Sequence, residues 1–294
     1  MPAYVGLIIA LLAVSWASIF IRWCGDTPAL VISFYRMFWS TLLLLGYQLF
    51  RDPKKLHLKS FDRQTKLYIG IAGIFLALHF GTWIASVQMT TISHSLILES
   101  THPVFALILS PIFLKEKGSW NAYLAAFLTM IGIVIIGGQD LRLSDGRFAG
   151  DLLALAGALF VTFYLLIARH QRLKIDIIPY LILVYASATI TLFILVLAFQ
   201  YPIWQYPLKV HGMMLLLALV PTGIGHSLIN WAARMVQVYK VNFIILGEPI
   251  IASILAYFIF SEKPYGLFYL GAAFIIPGIA LALLDRPLRK PINP

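Results

Sequence analysis

The feature that most constrains this chain is a series of apolar segments that follow one another with short interruptions. A transmembrane helix needs roughly 20 mainly apolar residues, and ten runs of about that length occur. They cover residues 3–21, 28–50, 67–87, 92–114, 120–138, 151–170, 178–199, 211–233, 239–260 and 265–284. Hydrocarbon cannot satisfy exposed backbone polar groups, whereas a helix pairs them internally. The runs therefore predict an all-α membrane protein with ten transmembrane helices, numbered here as spans 1 to 10.

The composition supports a chain whose outer surface faces lipid. Hydrophobic residues make up 61% of the sequence and charged residues only 12%, whereas soluble domains carry about 25% charged residues. The formal net charge of +10 would suggest a nucleic-acid partner for a soluble protein. Here the basic residues cluster in the short loops between apolar runs, so we predict no nucleic-acid partner and assign the lipid bilayer as the surroundings.

The distribution of Lys and Arg predicts the orientation, because cytoplasmic loops are enriched in these residues. If both termini are cytoplasmic, sixteen of the 22 Lys and Arg residues, including Lys240, fall in cytoplasmic loops and five in outer loops. Arg36 remains inside span 2. We therefore predict a multi-pass protein of the inner (plasma) membrane with both termini in the cytoplasm.

An internal repeat divides the chain into two halves. A shift of 146 residues gives ten identities between positions 103–132 and 249–278 without a gap, including Pro103 with Pro249 and Gly132 with Gly278. We infer a first repeat at 1–138, a linker at 139–150 and a second repeat at 151–285. Because each repeat holds five spans, the second enters the membrane from the opposite side. Such inverted repeats are typical of secondary transporters, whose substrate site lies between the halves near the midplane.

The repeated segments resemble a known family. Thr101-His102-Pro103 followed by Lys115-Glu116-Lys117, and Gly247-Glu248-Pro249 followed by Ser261-Glu262-Lys263, are similar to repeat ends in the EamA branch of the drug/metabolite transporter superfamily. Ser15-Trp16-Ala17-Ser18 and Phe34-Tyr35-Arg36 also resemble positions of that family. The resemblance covers essentially the whole chain. It implies a ten-helix carrier, in many members an exporter of amino acids or other small metabolites.

Ionisable residues inside the spans are the first candidates for a substrate or coupling site, because such groups are costly in a membrane and are usually functional. The candidates are Arg36, His79, Glu99, His102, His226 and Glu248. His102 and Glu248 correspond under the repeat, and each directly precedes a proline. That proline deprives the carbonyl four residues earlier, in Glu99 or Ile245, of its helical partner. We interpret both positions as binding groups on kinked helices.

Other residues of these spans have two interpretations each. Asn230 lies four residues after His226, and Trp16, Tyr35 and Trp83 lie on spans that carry polar groups; they line the cavity or simply pack. The histidines at 79 and 226 are ligand groups or satisfied core residues. Arg36 either binds a carboxylate or phosphate of the solute, or pairs with Glu99 or Glu248. Glu99 is a proton site or holds two helices together.

Three classes of function are open to a polytopic membrane protein: a secondary transporter, a membrane-embedded enzyme and a passive channel. The repeat favours a secondary transporter that moves small organic metabolites, amino acids or similar and in part aromatic, by alternating access, with export as the direction. Proton exchange through a carboxylate or histidine is one way to drive it. A membrane-embedded enzyme would require catalytic motifs that are missing from the sequence, and a passive channel would require rings of like groups. We predict no catalytic residues, no metal and no cofactor, and a monomer or homodimer.

Overall fold

A computed structural model gives the arrangement of residues 2–52, 61–90, 92–115, 117–137, 148–172, 175–233, 235–236, 238–261 and 266–284. All regular structure in these ranges is helical. The helices are α1 Ala3–Val14, α2 Ala17–Trp23, α3 Ala29–Arg51, α4 Arg63–Met89, α5 Ile92–Glu99, α6 His102–Phe113, α7 Trp120–Gly137, α8 Phe148–Arg172, α9 Ile177–Ala198, α10 Leu208–Leu217, a π-helical segment Ala218–His226, α11 Ser227–Ala232, α12 Val238–Ile245, α13 Glu248–Phe260 and α14 Gly266–Leu284.

These helices correspond to the ten predicted spans. Within the described ranges, eight helical stretches are long and apolar enough to cross a membrane, and the apolar helices at 120–135 and 269–278 are shorter. The two shorter ones belong to spans 5 and 10. Large apolar side chains cover the outside of the bundle, as at Phe50, which is 95% exposed, and Trp120, which is 81% exposed. The prediction of an all-α membrane protein is confirmed.

Four spans depart from regular α-helix, and three of these departures occur near a proline. Span 4 is split between α5 and α6, and span 9 between α12 and α13, with Pro103 and Pro249 in the first turn of the second piece. A proline is tolerated there because the first helical N–H groups have no intrahelical acceptor. Span 8 contains the π-helical segment around Pro221. Span 1 is split between α1 and α2 at Ser15 and Trp16.

The packing follows the two-fold relation between the repeats. Span 2 packs against its counterpart span 7, span 4 against span 9, and span 5 against span 10. The contact of span 3 with span 6 is matched by that of span 8 with span 1. Spans 4 and 9, the two spans that are split at a proline, thus contact each other, and the second pieces α6 and α13 both begin at that contact.

Small residues allow the closest helix contacts. A Cβ at Gly132 would lie 2.5 Å from the carbonyl oxygen of Gly271, and one at Gly278 would lie 2.5 Å from the Oγ1 of Thr129. Because these two repeated positions lack a Cβ, α7 and α14 can pack closely against each other. Their outer faces remain exposed, as at Tyr269 (65%). This is the peripheral position that a lipid-facing pair or a subunit contact requires.

Two details differ from the sequence interpretation. Residues 148–150, assigned to the linker, are the first residues of α8, while 139–147 lie outside the described residues. Lys240, counted as a cytoplasmic loop residue, lies on α12 and is 2% exposed. A buried lysine near a helix end does not act as a solvated loop charge, although its sequence position at the start of span 9 suggested one.

Substitutions on α4 test the helix packing. Alanine at Gly73 would place its Cβ against the Cβ of Ser187 and 2.7 Å from the carbonyl oxygen of Val184 on α9. We expect Gly73→Ala to lower the free energy of unfolding by about 1–3 kcal/mol, as overpacking does. The matched control is Gly70→Ala, because nothing lies within 4 Å of a Cβ at that position. Thermal unfolding in detergent is the measurement, and equal midpoints for the two variants would contradict the packing.

Candidate functional site

A cavity of about 50 Å³ lies where the split spans 4 and 9 meet spans 1, 2, 3, 6 and 8. All six ionisable candidates line it: Arg36, His79, Glu99, His102, His226 and Glu248. Each of these side chains is buried, with at most 8% of its surface exposed. The structure thus brings together residues that are up to 212 positions apart in the chain, from five different spans.

His102 and Glu99 form a pair across the break in span 4. The Nδ1 of His102 donates to the carbonyl oxygen of Glu99 at 3.0 Å and lies 3.7 Å from Oε2 of the Glu99 carboxylate. Pro103 has no N–H to donate to the carbonyl of Glu99, and the imidazole of His102 donates to this carbonyl instead. Thr162 on α8 donates to the carbonyl oxygen of His102 at 3.2 Å, which fixes the break against the second half.

His79 and His226 occupy corresponding spans, 3 and 8, and face each other with ring centroids 6.5 Å apart. The Nδ1 of His79 lies 3.0 Å from the carbonyl oxygen of Gly157. Because a carbonyl only accepts, Nδ1 donates this bond. In a neutral imidazole Nε2 is then the nitrogen that can accept a hydrogen bond. The Nδ1 of His226 has no hydrogen-bond partner among the described residues.

Arg36 is held from two sides. Its Nε donates to Oγ1 of Thr222 at 2.7 Å, and Thr222 in turn donates to the carbonyl oxygen of Leu217 at 3.0 Å. The guanidinium lies over the ring of Phe80, 3.9 Å from its centroid, a cation–π contact. Glu248 acts on it electrostatically, but neither carboxylate of the cavity forms an ion pair with it in the described part of the chain. The Nη1 atom has no hydrogen-bond partner there.

Glu248 is the first residue of α13, next to Pro249. Its carboxylate lies at the N-terminus of a 13-residue helix, where the helix dipole stabilises negative charge. Within the described residues this carboxylate has neither a hydrogen-bond nor an ion-pair partner. It is the one carboxylate of the cavity that is available to a solute, because that of Glu99 is already close to His102.

The aromatic candidates and Asn230 divide into two groups. Trp83 lines the cavity, and its ring is parallel to that of His79, with an interplanar angle of 5°. Trp16 instead stacks on Phe20 at the break in span 1. Tyr35 donates its hydroxyl to the carbonyl oxygen of Ile203 at 3.0 Å. Trp16, Tyr35 and Asn230 are not among the residues that line the cavity.

Asn230 connects spans 6 and 8. Its Nδ2 donates to the hydroxyl of Tyr164 at 2.5 Å and to the carbonyl oxygen of His226 at 2.7 Å. The first bond ties α11 to α8, and the second lies within span 8. Of the two interpretations from the sequence, substrate contact and helix packing, this geometry favours packing.

Among the lining residues that sequence reasoning missed are one polar residue, Asn242, and one aromatic residue, Phe80. Asn242 is a polar residue inside span 9, six positions before Glu248, and it is 1% exposed. The rule that singles out charged residues inside a span would have found it if extended to amides. Phe80 gave no such signal, because a phenylalanine in an apolar helix is ordinary and only the position of Arg36 above its ring distinguishes it.

Comparisons with known proteins agree with this arrangement. The sequence profile of the EamA-like transporter family matches residues 1–138 and again residues 148–284. A solved crystal structure superposes with a TM-score of 0.78 over 97% of this chain and 99% of its own, at 17% identity, which shows the fold alone.

The similar proteins include several transporters. An uncharacterized transporter of Archaeoglobus fulgidus is 24% identical over 94% of each chain. An S-adenosylmethionine uptake transporter of Rickettsia felis is 25% identical over 84% of this chain and 80% of its own. A riboflavin transporter of Vibrio cholerae is 30% identical over 73% of this chain and 68% of its own. Transport of a small molecule across a membrane is common to the last two names.

The structural role of the Asn230–Tyr164 bond can be tested. Tyr164→Phe removes the hydroxyl between α8 and α11, and an interhelical hydrogen bond in a membrane contributes about 0.6 kcal/mol on average and at most about 1.7. We expect the free energy of unfolding to fall by that amount and solute binding to stay unchanged. Tyr257→Phe is the control, since Tyr257 is 43% exposed. A selective loss of solute binding in Tyr164→Phe would instead assign Asn230 to the site.

Proposed function

This chain belongs to the EamA-like transporter family, and on that premise we propose that it carries small organic metabolites, amino acids or similar solutes, across the inner membrane by alternating access. The cavity between the two halves is the proposed substrate site. The observation that carries the proposal is the convergence of six buried ionisable side chains where spans 4 and 9 are interrupted at their prolines.

The position of the cavity supports a carrier. Spans 4 and 9 correspond in the two repeats, and both are interrupted at the cavity wall. Interrupted helices near the midplane, between inverted repeats, are the usual substrate sites of secondary transporters. Alternating access then consists of a rocking of one half against the other about this fixed site.

The small size of the cavity argues for a carrier over a channel. Ligand sites usually measure about 300–1,000 Å³, whereas this cavity measures about 50 Å³ and its ionisable side chains are buried. A metabolite therefore enters only after the halves separate on one side. A channel would present like groups along an open path, whereas this small cavity is lined by ionisable groups of both signs.

The chemistry of the lining supports an amphipathic, amino-acid-like solute. One unpaired carboxylate, one arginine and the aromatic rings of Phe80 and Trp83 face the same space. These groups suit a solute with charged ends and an apolar or aromatic part. The relatives named for S-adenosylmethionine and riboflavin carry solutes with aromatic rings, which agrees with this proposal.

Energy coupling and direction belong to the proposal as well. The Glu99–His102 pair and Glu248 are groups that exchange protons without a metal or cofactor, so proton exchange is the proposed driving reaction. Export follows from the family resemblance, while one relative is named an uptake transporter. Cytoplasmic termini and the monomer or homodimer state remain predictions.

Transport into proteoliposomes tests the proposal. Purified protein is reconstituted, and the flux of labelled amino acids is measured with and without a pH gradient. We expect saturable flux that a proton gradient accelerates. Flux that rises linearly with solute concentration would contradict a carrier. Saturable flux that the pH gradient does not change would exclude proton coupling but leave the carrier.

Glu248→Gln tests the site within that assay. The substitution keeps the shape of the side chain but removes the charge, and a charged hydrogen bond contributes about 1.5–3 kcal/mol, or roughly tenfold to a hundredfold in affinity. We expect the half-saturating concentration to rise by about that factor. The control is Asp176→Asn, which removes an exposed carboxylate at the N-terminus of α9, outside the cavity. Equal kinetics in both variants would exclude Glu248 from the site.

A further inference from the structure

Resting on the proposed transport function, we infer that the cavity contains a subsite for a carboxylate of the solute, formed by Nη1 of Arg36 on α3 and Nδ2 of Asn242 on α12. Together with Glu248, it makes the solute class a zwitterion with a carboxylate and a cationic nitrogen, as in an α-amino acid.

The two donors are the first argument. Arg36 and Asn242 both line the cavity and are each 1% exposed. Among the described residues, neither Nη1 of Arg36 nor Nδ2 of Asn242 has a hydrogen-bond partner. Both atoms are donors only. The Nε1 of Trp83 and the Nδ1 of His226, on two other lining residues, also have no hydrogen-bond partner in the described part of the chain. Buried polar groups without a partner are costly and rare in native proteins, so their concentration on residues of one small cavity indicates a ligand that supplies acceptor oxygens.

The way in which Arg36 is held supports the same ligand. Its Nε is engaged by Thr222, and its face is covered by the ring of Phe80. These contacts fix the plane of the guanidinium while they leave the Nη1 atom unpaired. A planar guanidinium with a free donor edge matches the oxygens of a carboxylate.

The other charges of the cavity decide between a zwitterion and a simple anion. Glu248 faces the same space and has no hydrogen-bond or ion-pair partner in the described ranges, whereas Glu99 contacts His102. The remaining titratable groups are the histidines at 79 and 226. An anion alone would add a second negative charge beside the carboxylate of Glu248, and a phosphate dianion would meet greater repulsion. A solute that brings a cationic nitrogen to Glu248 and a carboxylate to Arg36 balances both charges.

The subsite also connects binding to the movement of the halves. Arg36 lies in span 2 of the first repeat, whereas Asn242 lies in span 9 of the second. One carboxylate that binds both side chains therefore bridges the repeats. A carboxylate that supplies acceptors to both donors stabilises the arrangement in which the two repeats meet at the cavity. This arrangement is therefore favoured when such a solute is bound.

Ligand-induced thermal stabilisation tests this inference without any need for flux. The full-length protein in lipid nanodiscs is titrated with glycine, L-alanine, L-leucine and L-phenylalanine, with the amide of each amino acid, and with inorganic phosphate. A ligand that binds the folded state raises the unfolding temperature according to its affinity. We expect at least one amino acid to bind about tenfold or more tightly than its amide, because only the acid offers a charged acceptor to the subsite. Phosphate is expected to give no shift.

Two variants assign the effect to the subsite. Asn242→Leu removes an unpaired donor and is expected to fold, and Arg36→Lys keeps the charge but loses the planar fork. Each should reduce the preference for acid over amide by about tenfold. Asn121→Leu, at an exposed position of α7, is the control and should keep the wild-type preference.

Several results would overturn the inference. They are equal stabilisation by acid and amide, stabilisation by phosphate alone, no stabilisation by any amino acid of the panel, or an unchanged preference in both variants. The transport proposal would fail in a distinguishable way: flux would be absent, while the amino acid would still bind more tightly than its amide. Flux with no preference for the acid would overturn only the subsite.

Discussion

The interruption of spans 4 and 9 is the constraint on which the rest of the site depends. Inside a bilayer every backbone polar group needs a partner within the protein, so a helix is broken only where other groups replace the missing bonds. In span 4 the imidazole of His102 donates a hydrogen bond to the carbonyl of Glu99, and the hydroxyl of Thr162 donates one to the carbonyl of His102. The break therefore exists together with a polar cluster, and the cavity is the space around that cluster.

The same constraint explains why the charges lie where they do. A charge within a span is tolerated when it faces the interior and has partners. Arg36 satisfies this condition through Thr222 and Phe80 and through its electrostatic interaction with Glu248. Glu248 satisfies it through the N-terminus of α13. Both therefore line the same cavity with opposite charges, which suits the proposed solute with two opposite charges.

Much of this organisation was predictable because it depends on local properties of the chain. The ten spans follow from hydropathy, and the correspondence of His102 with Glu248 follows from a gapless repeat that includes two prolines. The six ionisable candidates were identified because charge is costly in a membrane wherever the fold places it. Asn230, Trp16 and Tyr35 were harder to assign, since an amide or aromatic ring serves packing and binding equally well and only its neighbours decide.

The sequence by itself determined the membrane-spanning class, the two repeats and the set of ionisable groups that the fold has to accommodate, because length, hydropathy and charge act residue by residue. Only the tertiary structure decided which of those groups meet. It placed Asn242 beside the cavity, Asn230 in the bond to Tyr164, and the guanidinium of Arg36 over the ring of Phe80. Those outcomes depend on how spans from opposite halves cross, and the distances between side chains on different helices are fixed by packing, not by their spacing along the chain.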